Sequence, residues 1–81
     1  MRTTQDDIRG WLERAKPEHT HMIVVCDTYD WEDYPVYVSK DESVQEVFAE
    51  YHGPNMQRVM EVYNLSMDHE KQLTEGRAFN F

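Results

Sequence analysis

Apolar and polar positions alternate along this chain in two distinct rhythms. Ile8, Trp11, Leu12 and Ala15 fall at i, i+3, i+4 and i+7, with Arg9, Glu13, Arg14 and Lys16 on the remaining face, which predicts a helix with one apolar stripe. Thr4 followed by Asp7 forms a capping-box pattern at its start. Pro17 is expected to end it, because the residue before a proline avoids the helical region. From His21 or Met22 the rhythm changes. The run Met22 to Cys26 is apolar on both faces of an extended chain, with Met22, Val24 and Cys26 on one side and Ile23, Val25 and Asp27 on the other, so a central strand is expected. Pro35 then admits a second strand over Val36 to Val38, at an edge or a first strand position. The connection of roughly seven residues between the two strands is too long for a tight two-residue hairpin.

Ser39 with Glu42 and Ser43 with Glu46 both match a helix-capping pattern. Val44, Val47, Phe48 and Tyr51 supply the stripe that follows, and His52-Gly53-Pro54 stops it. Met56 to Leu65 is ambiguous: Met56, Val59, Met60 and Tyr63 fit a helix, whereas Val59, Glu61, Tyr63 and Leu65 alternate as in a strand. The valines and tyrosine favour the strand, and a two-stranded sheet would be marginal without a third member. Ser66 or Asp68 caps a last helix through about Glu75, stopped by Gly76, and the aromatics of the tail Arg77 to Phe81 are expected to fold back on a core. The expected order is α-β-β-α-β-α: one α+β domain over residues 1–81, with an antiparallel sheet of about three strands and helices packed on one face.

Composition narrows the function classes. Eight basic and sixteen acidic residues give a net charge of −8, which repels nucleic-acid phosphates and anionic membranes and attracts basic protein surfaces. Direct nucleic-acid binding is not expected, and the longest apolar run falls far short of the ~20 residues of a membrane span. The N-terminal residues lack the apolar segment of a signal peptide and Cys26 has no partner for an internal disulfide, so a cytoplasmic protein is expected. For so short a chain, dimerisation would help the core.

Candidate chemistry concentrates between the first two strands. Asp27, Asp30, Glu32 and Asp33 offer oxygen ligands to a hard cation, but the glycine and final glutamate of a calcium loop are missing. Turn-capping carboxylates are the simpler reading. His19, His21 and Cys26 lack a fourth zinc ligand, and Cys26 in an apolar strand beside Asp27 is expected to be structural rather than nucleophilic. His52 reads as a helix-end residue and His69 as a surface one. With no phosphate-binding glycine loop and no assembled triad, neither an enzyme nor a cofactor is expected.

The remaining signal is the interleaving of Tyr29, Trp31, Tyr34 and Tyr37 with Asp30, Glu32 and Asp33. Such aromatics serve either as interface anchors or as a small satellite core under the loop. Acids two apart on an extended chain recur about 6.6 Å apart, which admits a nucleic-acid-mimicking surface.

The run Thr20 to Val38, together with Asn55 to Leu65 and Arg77 to Phe81, resembles a family of short acidic proteins found in phage and prophage genomes. The resemblance covers most of the chain but brings no assigned activity and no site residues. What it implies is context, since small acidic proteins of mobile elements often bind and block host machinery, including nucleic-acid-guided defence. The leading expectation is therefore a non-catalytic binder of a basic host-protein surface, using Asp27, Tyr29, Asp30, Trp31, Glu32, Asp33 and Tyr34. The alternatives are a divalent-metal module or metal-dependent enzyme built on the 27–33 acids, and a homodimeric regulatory or housekeeping protein.

Overall fold

The computed structural model describes residues 3–53, 56–75 and 79–81. The elements run α1 (Gln5–Glu13), β1 (His19–Asp27), β2 (Glu32–Ser39), α2 (Val44–Tyr51), β3 (Gln57–Asn64) and α3 (His69–Glu75). This is the α-β-β-α-β-α order of an α+β fold. The strands form one antiparallel sheet, β2-β1-β3, with β1 in the middle.

Because β1 is apolar on both faces, it needs cover on both. Ile23 and Val25 pack with Val38, Val59, Val62 and the α2 residues Val44 and Val47. Met22 and Val24 pack with Tyr63, with Ile8 and Leu12 of α1 and with Leu73 of α3. The helices thus lie on both faces of the sheet rather than on one. The correction follows from β1 itself, whose Met22, Ile23 and Val25 are completely buried. A helix layer on one face would leave half of that surface wet, at about 1.5–3 kcal/mol for each large side chain. The crossover from β2 to β3 passes over β1, and α2 lies within it, which accounts for one of the two layers.

The capping box predicted at Thr4 and Asp7 is formed in both directions, the Thr4 hydroxyl accepting from the Asp7 amide and the Asp7 carboxylate from the Thr4 amide. Helix α1 ends at Glu13, earlier than Pro17 alone requires. Its last turn tightens, with Ala15 donating to the Leu12 carbonyl, and the Lys16 amide leaves the helical ladder to donate to His19 Nδ1. At α2 the competing caps resolve in favour of Ser43, whose hydroxyl accepts the Glu46 amide. The Asp68 carboxylate accepts the Lys71 amide at the start of α3. Gly76, Arg77 and Ala78 lie outside the described residues, as do Pro54 and Asn55.

The segment of mixed periodicity is a strand, and a bulge accounts for its mixed signal. Val24 pairs with Glu61 but Val25 with Val59, leaving Met60 as the extra residue. Val59 and Val62, three apart, therefore reach the same face and the same cluster. Tyr63 turns to the other face, where its buried hydroxyl donates to the Glu61 carboxylate. Beyond β3, Phe79 forms a single parallel bridge to Val62, and Phe79 and Phe81 both contact the Phe48 ring edge-on. The outer edge of β2 carries Pro35, in unbroken register with Val24.

Gln72 fastens α3 to the sheet. It is 1% exposed, accepts the Asn64 amide through Oε1 at 2.7 Å and donates through Nε2 to the Asn64 carbonyl at 2.9 Å and the Asp68 carbonyl at 3.1 Å. The side-chain amide thus serves the backbone of Asn64 as a neighbouring strand would. Replacing it by leucine leaves buried backbone groups unpaired, so Gln72→Leu is expected to lower unfolding free energy by about 1–3 kcal/mol in urea titrations at unchanged m-value. Gln72→Glu should cost more, because it brings a carboxylate against two carbonyls in a dry site.

Candidate functional site

The β1-β2 hairpin closes through a four-residue turn, Thr28 to Trp31, with Asp27 paired to Glu32. The expected seven-residue loop is therefore shorter, since Glu32, Asp33 and Tyr34 belong to β2. Proline was the residue that argued for a late start to that strand. On an edge strand its missing amide breaks no ladder bond, so pairing continues past it to the turn.

The turn is held by Asp27, the last residue of β1, and by Thr28. The Asp27 carboxylate accepts the Tyr29 amide at 2.9 Å and the Asp27 carbonyl accepts the Trp31 amide at 2.6 Å. The Thr28 amide and hydroxyl both donate to the Met56 carbonyl, each at 2.7 Å, tying the turn to the start of β3. Trp31 sits at φ +57°, in the left-handed region where a bulky residue is strained.

These contacts place the seven expected site residues in different environments. Tyr29 and Trp31 are 75% and 65% exposed, so these two stand in solvent and form no satellite core under the turn. Asp30 and Glu32 are exposed beside them. Tyr34 goes the other way, packing against the α2-side cluster and accepting a hydrogen bond from Gln57 Nε2. Burial pushes its hydroxyl pKa up. Asp33 pairs across from Cys26 in a half-buried position, and Asp27 is committed to the turn backbone.

Two further features converge on this tip. Asp27 and Glu32 are opposed across the strands, a like-charge pairing that weakens a hairpin. Met56, 55% exposed and itself at φ +60°, adds an apolar side chain through the Thr28 link. Met56 was not among the expected site residues, because only a contact between positions far apart in the chain brings it there.

The other candidate chemistries resolve as follows. Cys26 is buried and its thiol pKa is raised, first by burial and then by its hydrogen bond with Asp33, so the thiolate is disfavoured. Thr20 is bulged out of the β1-β2 register, so His19 and His21 do not act as two positions of a regular strand. His19 stacks on Tyr37, whereas His21 bonds Thr20 Oγ1. His52 caps the end of α2; His69 is half-buried, its Nε2 on the Leu65 carbonyl. Among the described residues no three His, Cys, Asp or Glu side chains converge in a metal-binding arrangement, and no helix is long and apolar enough to cross a membrane. Comparison with protein families, curated proteins and solved structures finds no match.

If the Trp31 side chain were there for folding, removing it would cost stability. The geometry predicts the reverse. Trp31→Gly relieves the left-handed backbone and removes little buried surface, so stability is expected to stay level or rise by about 1 kcal/mol. A clear drop in the urea midpoint would make Trp31 a structural residue.

Proposed function

We propose that this chain is a non-catalytic binding protein that engages a basic protein surface through the hairpin tip. The observation that carries the reading is the exposure of Tyr29 and Trp31 within an acidic, hydrogen-bonded turn. Three local costs accumulate there: a strained tryptophan, opposed carboxylates and wet aromatics. Departures of this kind from local folding rules are expected where function is placed.

In this reading Tyr29, Trp31 and Met56 are the anchors that lose water on binding, and Asp30 and Glu32 form the charged surround. Aromatic anchors carry most of the energy of an interface, whereas charges at its rim act mainly on the rate of encounter. The net charge of −8 favours a partner that presents lysines and arginines. A surface built for the phosphate backbone has that character. The resemblance to phage proteins adds a specific candidate, the nucleic-acid-binding site of a host defence complex.

The test is recovery of partners from bacterial lysate by the tagged protein at low and at moderate salt. A basic partner should be retained by the native chain and lost by the Tyr29→Ala/Trp31→Ala pair, with at least about a tenfold loss of affinity for the purified complex. Asp30→Asn with Glu32→Gln should chiefly slow association and flatten its salt dependence. Recovery of nothing at either salt, or full retention by the aromatic variant, would sink the proposal.

A further inference from the structure

At the opposite end of β1, about 25 Å along the strand from the turn, the structure has a groove of about 560 Å³. It lies between the end of α1, the start of β1 and the β3-α3 connection. Leu12, Ala15, Pro17 and Leu65 make it largely apolar. Its polar side is unlike the rest of the molecule. Three of the four histidines, His19, His21 and His69, line it with Lys16, and among the described residues no aspartate or glutamate does. In a chain with sixteen acids this is a local reversal of charge character.

The hydrogen bonds fix what these groups offer. His19 Nδ1 accepts the Lys16 amide, so a neutral His19 ring carries its proton on Nε2 and keeps a donor to spare. His69 uses Nε2 toward the Leu65 carbonyl, which assigns its proton there and leaves Nδ1 uncommitted. His21 bonds Thr20 Oγ1 through Nδ1, and its Nε2 is buried without a partner. Burial pushes the Tyr37 hydroxyl pKa up, an effect that the Arg14 charge partly offsets, and the Tyr37 ring stacks on His19. An apolar floor with the spare Nε2–H of His19 beside the Lys16 ammonium matches one ligand chemistry, an apolar body with an anionic head. The volume lies in the range of about 300–1,000 Å³ typical of small-molecule sites.

We propose that the groove between α1 and the β3-α3 connection binds a small molecule made of an apolar ring or chain bearing a carboxylate, received by His19 and Lys16 over Leu12 and Leu65. The site is independent of the hairpin tip. Benzoate and indole-3-carboxylate serve as probes, with benzamide as the neutral isostere and inorganic phosphate as the anion without an apolar body. The readout is the imidazole NMR resonances, with His52, outside the groove, as internal reference. Saturable shifts of His19 and His69 with both carboxylates are expected, with a dissociation constant of about 1 mM or below, little shift of His52, and at least about tenfold weaker binding to Lys16→Gln/His19→Gln. A matched amide-proton spectrum checks that this variant keeps its fold. Equal shifts with benzamide or with phosphate, shifts of all four histidines together, or no saturation by either carboxylate would overturn the assignment.

Discussion

A single strand with two dry faces governs this small fold. Burying Met22, Ile23, Val24 and Val25 demands a layer of side chains above and below β1, and the described residues supply three short helices with which to build them. One helix covers one face and two share the other. The pair that shares a face is tied together at its surface by Arg9, which meets both Glu70 oxygens at 2.8 and 3.0 Å, and by Gln5, whose amide donates to the Leu73 carbonyl. The exposed ion pair adds little by itself. What holds the layer is Gln72 beneath it, satisfying the end of β3 from a helix of seven residues.

The same constraint explains why the polar features sit at the strand ends. With the middle of β1 dry, the hydrogen-bonding variety of the chain is pushed to Asp27 and Thr28 at one end and to His19, Thr20 and His21 at the other. The acidic end projects aromatic side chains outward, while the histidine end folds around a concavity. The two proposed sites, for a protein surface and for a small molecule, therefore lie at opposite ends of one strand.

Local pattern made the element types legible, because stripes at i, i+3, i+4 and a doubly apolar run depend only on nearby residues. It also picked out Tyr29, Asp30, Trp31 and Glu32 as a conspicuous group. What it could not supply were decisions taken across the sheet. Glu32 to Tyr34 carry the composition of a loop, yet pairing with β1 makes them strand. Val59 and Val62 look mis-spaced until the bulge at Met60 turns them to one face. Gln72 reads as an ordinary polar helix residue, since its burial is set by the backbone of Asn64. Tyr34 and Trp31, alike in sequence context, part company because only Tyr34 falls opposite Val25 and the α2 layer.

The two borders of the sheet are closed by different means. On β2 the closure is covalent: the Pro35 ring removes a donor, so no strand can pair there without a gap. On β3 it is a contact, the one bridge from Phe79 to Val62 with the Asn80 amide on the Val62 carbonyl at 3.0 Å. A contact can be exchanged for an equivalent contact, whereas a missing hydrogen cannot. A strand added to this sheet therefore meets a fixed gap at Pro35 on the β2 side, and at Val62 on the β3 side it must displace Phe79 and Asn80.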